Sequence, residues 1–282
     1  MTRRGGCQAP RFVPQWLWAE EEVAMSSEKD GRRSAWAKHP DYRVDFEQTA
    51  KRVRVRLGGQ TVADSTGARI MLETRHTPVY YLPRADVRMD LAERTDHESF
   101  CPFKGEASYW TLVVGDQSAE NAMWSYEQPF AEVAGIRDYV AFYWDRVDAW
   151  FEEDEEIFVH PRDPHVRIDV LASSRPLRAL LGGEVIAEST AAHFLFETGW
   201  QTRYYIPQAD VRMDLLEESV SETACPYKGG ARYWSARVDG RLIEDVAWSY
   251  PEPLPEVGRI KDYLCFYEDK LDALYVADEK IG

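Results

Sequence analysis

A ten-residue motif that occurs twice constrains the fold of this chain more than any other feature. Cys-Pro-[Phe/Tyr]-Lys-Gly-x-Ala-x-Tyr-Trp begins at Cys101 and again at Cys225, a displacement of 124 residues. The same displacement relates a Gly-Gly pair, an Asp-Val-Arg-Met-Asp pentamer and a Trp-Ser-Tyr triplet, and no gap is needed from Arg43 and Arg167 onward. Self-similarity at a fixed spacing indicates two tandem copies of one domain.

The length of 282 residues allows two domains of ordinary size, each long enough to bury its own core. We predict an irregular N-terminal arm at residues 1–38, a first repeat domain at residues 39–158 and a second at residues 159–282. We expect the two repeat domains to pack on each other. Three tryptophans predict that part of the arm docks on a domain: Trp16, Trp18 and Trp36.

Period-two alternation within each copy predicts a mainly β fold. Residues 52–57 alternate charged side chains with apolar ones, and Gly58-Gly59 then predicts a hairpin turn. Residues 139–143 are rich in aromatic and β-branched side chains, which is typical of a strand. Apolar positions four apart within residues 86–93 suggest a short helix.

Charge and cysteine content exclude several classes of partner. The formal net charge of −15 argues against binding to a phosphate backbone, so we expect no nucleic-acid partner. No apolar run is long enough to cross a bilayer, and no secretory signal is evident. The 4 cysteines form no Cys-x-x-Cys pair. The composition therefore predicts a cytoplasmic protein without a disulfide framework, a metal site or a cofactor.

The repeated cysteines and lysines are the candidate catalytic residues: Cys101, Cys225, Lys104 and Lys228. A lysine three residues beyond a cysteine can lower the pKa of the thiol and favour the reactive thiolate. No histidine is shared between the copies in register, which argues against a Cys-His dyad used twice. Two plainer interpretations stay open, a small buried cysteine in a turn and a solvated turn lysine.

The repeated pentamer supplies the candidate polar contacts to a ligand: Arg88, Asp90, Arg212 and Asp214. In either an extended or a helical conformation, an arginine would lie between two carboxylates. The alternative is a structural ion-pair network that ties a helix to the sheet.

Repeated aromatic residues supply candidate pocket walls: Tyr109, Trp110, Trp124, Tyr126, Tyr233, Trp234, Trp248 and Tyr250. Tyrosine and tryptophan combine an apolar body with a polar edge, which suits a pocket for a flat or cyclic ligand. A β domain also needs bulky side chains to fill its core, so core packing is the competing interpretation for each of them.

With these motifs in hand, the chain resembles two tandem copies of the family called domain of unknown function 427. The resemblance covers residues 43–158 and 167–282, and includes the Trp-Ser-Tyr-x-x-Pro block and the Asp-Tyr-[Val/Leu]-x-Phe-Tyr block. It implies a β-tent, or Mss4-like, fold, in which two antiparallel sheets meet at an angle around a ligand cleft. Many relatives of that fold bind zinc through paired Cys-x-x-Cys motifs, which this chain lacks.

Residues and resemblance together predict two tandem β-tent domains of antiparallel sheets with short helices. The favoured function is binding of a small polar or heterocyclic molecule in an aromatic-lined cleft. A cysteine enzyme that uses a thiolate activated by lysine is the first alternative. A structural or protein-interaction role, with the acidic surface meeting a basic partner, is the second. Binding is favoured over catalysis because the sequence indicates no retained general base beside the cysteine.

Overall fold

A computed structural model describes residues 33–238 and 240–281. The chain divides between Asp163 and Pro164 into two compact units, which we call the first and second units. Trp16 and Trp18, predicted to dock on a domain, lie outside the described residues. No helix among the described residues has the length and apolar character needed to span a membrane.

Residues 33–163 of the first unit form eleven strands and several short 3-10 turns. Its strands are β1 (Val44–Gln48), β2 (Val53–Leu57), β3 (Gln60–Ser65), β4 (Arg69–Glu73), β5 (Val79–Pro83), β6 (Ala92–Cys101), β7 (Gly105–Val114), β8 (Gln117–Ser125), β9 (Tyr139–Phe142), β10 (Ala149–Glu152) and β11 (Glu155–Ile157). Its 3-10 turns are Trp36–Lys38, Arg84–Asp86, Met89–Leu91, Ala131–Ile136 and Trp144–Arg146.

The second unit repeats this order. Its strands are β12 (Ile168–Ala172), β13 (Leu177–Leu181), β14 (Glu184–Ser189), β15 (His193–Glu197), β16 (Arg203–Pro207), β17 (Leu216–Cys225), β18 (Gly229–Val238), β19 (Arg241–Ser249), β20 (Tyr263–Phe266), β21 (Ala273–Val276) and β22 (Glu279–Lys280). Its 3-10 turns are Gln208–Asp210, Met213–Leu215, Pro255–Ile260 and Glu268–Lys270.

Each unit folds into one seven-stranded and one four-stranded antiparallel sheet. In the first unit the strand orders are β1-β4-β5-β9-β8-β7-β6 and β11-β10-β2-β3. In the second they are β12-β15-β16-β20-β19-β18-β17 and β14-β13-β21-β22. The predicted mainly β fold of two tandem sheet pairs with only short helices is confirmed.

An apolar core fills the space between the two sheets of each unit. In the first unit, Val53 and Val55 of the four-stranded sheet pack in one cluster with Leu82 and Leu112 of the seven-stranded sheet. These side chains occupy the region where the resemblance implies a ligand cleft. A polar cluster, described below, lies instead on the face of the seven-stranded sheet that is turned away from this core.

The predicted Gly58-Gly59 hairpin is confirmed, because both glycines have positive φ and connect the paired strands β2 and β3. The helix predicted over residues 86–93 is wrong. Two separate 3-10 turns flank Val87, which is extended and bridges to Ala63 of β3. Pairing with β3 pulls the backbone out of the helical conformation that the apolar spacing had suggested.

Candidate functional site

Neighbouring side chains of β7 lie on opposite faces of the seven-stranded sheet, as the pleat of a strand requires. Trp110 packs in the core between the sheets, whereas Tyr109 packs in a second cluster on the other face. Trp234 and Tyr233 divide between the two faces in the same way in the second unit. The predicted pocket walls are therefore split, and Trp110 and Trp234 do not lie with the other aromatic residues.

The Cys-Pro-[Phe/Tyr]-Lys-Gly motif forms the tight turn between β6 and β7. The Lys104 amide donates to the Cys101 carbonyl at 3.3 Å, and the Lys104 carbonyl accepts from the Phe130 amide at 3.1 Å. Gly105 has a φ of 106°, which L-residues rarely adopt. These backbone contacts fix the direction in which the lysine side chain leaves the turn.

Lys104 points inward and forms an ion pair with Glu73 at the end of β4. Only 8% of Lys104 is exposed, so the interpretation as a solvated turn lysine is wrong. The Lys104 ammonium also lies 5.9 Å from the centroid of the Tyr126 ring. We call the group formed by Glu73, Cys101, Lys104 and Tyr126 site 1.

The second unit repeats this arrangement as site 2, formed by Glu197, Cys225, Lys228 and Tyr250. The Lys228 Nζ donates to Glu197 Oε2 at 2.6 Å and lies 3.8 Å from the Cys225 Sγ. Cys101 and Cys225 are both half-buried, so neither thiol is fully enclosed in a core. In site 2 the lysine side chain therefore lies beside the cysteine.

The glutamate of each site was missed by sequence reasoning, although it could have been found. Glu73 and Glu197 are 124 residues apart, the displacement of the repeat, and each is followed by a threonine. The sequence analysis indicated no retained general base beside the cysteine, whereas the structure brings a repeated carboxylate into the same group of side chains.

Tyrosines and a tryptophan surround each site. The Trp124 Nε1 donates to the Tyr81 hydroxyl at 3.4 Å, and the Trp124 ring lies 4.6 Å from that of Tyr143. Burial raises the pKa of Tyr81 and of Tyr126 well above the ordinary value for a phenol. The residues 124 positions later make the same contacts around site 2. Neutral phenols thus line a desolvated face.

Site 1 has one partner that precedes the gap-free repeated stretch, which begins at Arg43. The Tyr42 hydroxyl donates to Glu73 Oε1 at 2.6 Å, and the Tyr42 ring stacks on Phe103 with centroids 3.5 Å apart. Burial and the neighbouring carboxylate raise the pKa of Tyr42. The Trp36 Nε1 donates to the Phe103 carbonyl at 2.8 Å, so this part of the predicted arm docks on the first unit.

The pentamer arginines lie apart from sites 1 and 2. Arg88 pairs with Asp90 at 2.6 Å on an exposed 3-10 turn, and Arg212 pairs with Asp214 at 2.7 Å in the second unit. The hypothesis that two carboxylates hold the arginine is wrong, because Asp86 instead accepts from the Ser65 hydroxyl at 2.6 Å. The pentamer anchors its turn to the edge of β3.

Each site combines an ammonium, a carboxylate, a thiol and neutral phenols. The ammonium can donate to a carbonyl or an anionic group, and the carboxylate can accept from an N–H or O–H group. Within residues 33–238 and 240–281, no three His, Cys, Asp or Glu side chains converge to hold a metal ion. The ammonium and the carboxylate of each site suit polar recognition of a ligand.

The buried phenols predict an alkaline limit to stability. The pKa values of Tyr126 and Tyr250 are raised in the folded state. Their contribution to the unfolding free energy is therefore complete at pH values below the ordinary phenol pKa of about 10. Above that pH, the unfolding free energy should fall by about 1.4 kcal/mol per pH unit for each such phenol. Urea unfolding measured at increasing pH tests this. The double variant Tyr126→Phe/Tyr250→Phe should show a shallower decline, and an unchanged slope would contradict the assignment.

A family model described as a domain of unknown function (DUF427) matches the chain twice, over residues 45–153 and 169–277. The two matched ranges are displaced by the spacing of the repeat. The chain belongs to this family and contains two tandem copies of its domain. A comparison with curated proteins finds no match.

Proposed function

We propose that each unit binds a small polar or heterocyclic molecule at its lysine–glutamate site. The observation that carries this proposal is the ion pair of Lys104 with Glu73, which recurs as Lys228 with Glu197, each on a sheet face beside a half-buried cysteine. A buried ion pair contributes little to stability relative to an apolar pair of similar volume. Its presence in both copies therefore indicates a role beyond stability.

The proposed ligand contacts follow from the chemistry of each side chain. The lysine donates to a carbonyl or anionic group of the ligand, and the glutamate accepts from a ligand N–H or O–H group. Trp124 and Tyr143 are half-buried and supply an aromatic wall beside site 1. Trp248 and Tyr267 supply the corresponding wall beside site 2. Aromatic walls with a few polar groups are typical of small-molecule sites.

A thermal-shift screen of polar heterocyclic fragments against the full chain tests the proposal. Fragments that bind should raise the Tm of the native protein by mass action. The shift should disappear when both ion pairs are replaced by apolar residues, in the quadruple variant Lys104→Met/Glu73→Leu/Lys228→Met/Glu197→Leu. This variant is expected to fold, since each pair loses both charges together.

A matched control is the exposed ion pair between Arg237 and Glu217 in the second unit. The distance between an Arg237 guanidinium nitrogen and the Glu217 Oε1 is 3.0 Å. The variant Arg237→Met/Glu217→Leu replaces an exposed cation–carboxylate pair by the same apolar residues and should keep the fragment-induced shift. If the shifts persist in the quadruple variant, the ligand binds elsewhere and the proposal fails.

A cysteine enzyme is the second candidate, favoured by the distance of 3.8 Å between the Lys228 Nζ and the Cys225 Sγ. The Lys228 ammonium lies within reach of the sulfur, and Glu197 offers a carboxylate that the sequence argument lacked. In this function the thiolate would attack an electrophilic carbon or sulfur of a bound substrate.

Native alkylation rates of the cysteines test the enzyme hypothesis. A nucleophilic Cys225 should be alkylated in the native protein much faster than a buried thiol. Cys265 is the internal control, because only 1% of it is exposed and burial raises its pKa to about 12. A Cys225 that reacts no faster than Cys265 before unfolding would exclude the nucleophile role.

A further inference from the structure

An arginine that the first repeat does not share lies beside the aromatic wall of site 2. Arg203 begins β16, and its guanidinium carbon lies 5.4 Å from the centroid of the Trp248 ring. An arginine can stack on an indole and still donate hydrogen bonds from its N–H edge. The residue 124 positions earlier is Val79, an apolar side chain packed against the aromatic cluster around site 1. The two sites therefore differ in charge at one matched position.

The pairing of β15 with β16 places Arg203 close to the glutamate of site 2. Arg203 lies opposite Leu195, and Glu197 follows Leu195 by two residues, on the same face of β15. Diagonal neighbours of this kind lie about 7–8 Å apart, within reach of long side chains. Site 2 therefore has a second cation within the length of a small ring system from its lysine–glutamate pair.

The partners of Arg203 leave N–H groups for a ligand. Glu268 Oε1 lies 3.7 Å from the Arg203 Nη1, which is within ion-pair distance but longer than a hydrogen bond. When its amide is oriented to satisfy both of its polar atoms, the exposed Gln201 accepts from Nη1 at 2.8 Å. A guanidinium has five N–H donors in a planar fork that matches a carboxylate. Arg203 can therefore bind a further anionic group through its remaining donors.

We propose that Arg203 makes site 2 selective for a small aromatic heterocycle that carries a carboxylate. The carboxylate pairs with the Arg203 fork, and the ring packs against Tyr267. Lys228 and Glu197 pair with polar atoms of the ring. Site 1 has Val79 in place of the arginine and does not share this preference. The inference rests on the proposed function and specifies the ligand class of one unit.

The probes are pyridine-3-carboxylate and its uncharged isostere pyridine-3-carboxamide. Each is titrated into the full chain carrying Lys104→Met/Glu73→Leu, which removes site 1 and leaves site 2 intact, and the Kd is measured by ligand-observed NMR. The carboxylate should bind about tenfold more tightly than the carboxamide, because hydrogen bonds between ionised groups are stronger than those to a neutral amide. Equal affinities for the two probes would overturn the inference.

Substitutions at Arg203 separate its role from that of Lys228. Arg203→Val/Glu268→Gln, which removes both charges together, should abolish most of the preference for the carboxylate. Arg203→Lys keeps a cation without the planar fork and should retain part of it. An unchanged preference in Arg203→Val/Glu268→Gln would assign the carboxylate to Lys228 and overturn the inference.

The first unit supplies the reciprocal test, which does not depend on the folding of the Arg203 variants. In the full chain carrying Lys228→Met/Glu197→Leu, only site 1 remains. Adding Val79→Arg to that chain should raise the affinity for pyridine-3-carboxylate relative to the carboxamide. A relative affinity unchanged by Val79→Arg would count against an arginine at this position as the determinant.

Failure of this inference is distinguishable from failure of the proposed function. If neither pyridine binds, but the thermal-shift screen yields fragments whose effect the quadruple variant abolishes, the carboxylate class is wrong and the lysine–glutamate site stands. If no fragment raises the Tm of the native chain and neither pyridine binds, both proposals fall.

Discussion

Lys228→Met is expected to lower the unfolding free energy of the second unit by about 3–5 kcal/mol, because it leaves the Glu197 carboxylate buried without its counter-ion. The double variant Lys228→Met/Glu197→Leu should recover most of this loss, since no uncompensated charge remains. Hydrogen exchange followed by mass spectrometry resolves the two units and measures the effect on each separately.

The first unit provides the matched comparison. Lys104→Met should cost less than Lys228→Met, because the Tyr42 hydroxyl still donates to the Glu73 carboxylate. Adding Tyr42→Phe to Lys104→Met should bring the loss closer to that of the second unit. If Lys228→Met is as stable as Lys228→Met/Glu197→Leu, the Glu197 carboxylate does not depend on Lys228, which would contradict the account of a buried ion pair.

Gly229→Ala should destabilise the second unit by about 1–3 kcal/mol, the cost of a side chain in a sparsely populated backbone region. Gly229 has a φ of 99°, and an added Cβ would lie 3.0 Å from the Glu252 carbonyl oxygen. The strain falls on the turn that positions Lys228 and Cys225, so fragment binding at site 2 should weaken as well.

Two other glycines serve as comparisons for this loss of stability, which chemical denaturation measures. Gly105→Ala should cost less, because its Cβ would lie 3.4 Å from the nearest atom, the Gln128 carbonyl oxygen. Gly230→Ala should change stability little, since nothing lies within 4 Å of its Cβ position. If Gly229→Ala lowers the unfolding free energy no more than Gly230→Ala does, the turn tolerates an ordinary residue at position 229 and the prediction is wrong.

Local sequence patterns predicted the strands well because strand formation depends on alternation and turn residues within a few positions. The glycine hairpin at Gly58-Gly59 is one example, since two positive φ values require glycine. The same alternation also implies that Tyr109 and Trp110 face opposite ways, although the sequence offers both as candidate pocket walls. The pleat of the strand therefore separates them.

The site was harder to predict because its key contact is distant in sequence. Lys104 and Glu73 are 31 residues apart, and nothing near either residue indicates the pairing. The repeat spacing marks both residues as retained but gives no direction for their side chains. The turn geometry decides that the lysine points inward, and that geometry depends on contacts with the backbone of residues 128–130.

The resemblance correctly indicated the family and the pair of antiparallel sheets in each unit, but it did not locate the site. Apolar side chains such as Leu82 and Leu112 fill the space between the sheets. The charged pair lies on the opposite face, beside the turn that carries the repeated motif. A shared fold therefore does not determine the position of a site, which depends on the particular residues of the chain.

A crystal structure of the full chain soaked with the fragments that raise its Tm tests the central claim most directly. The account predicts density for a bound fragment within hydrogen-bonding distance of the Lys228 Nζ or of the Glu197 carboxylate, against the Trp248 and Tyr267 rings. Fragments bound only between the two sheets or on the exposed Arg212 turn would contradict it.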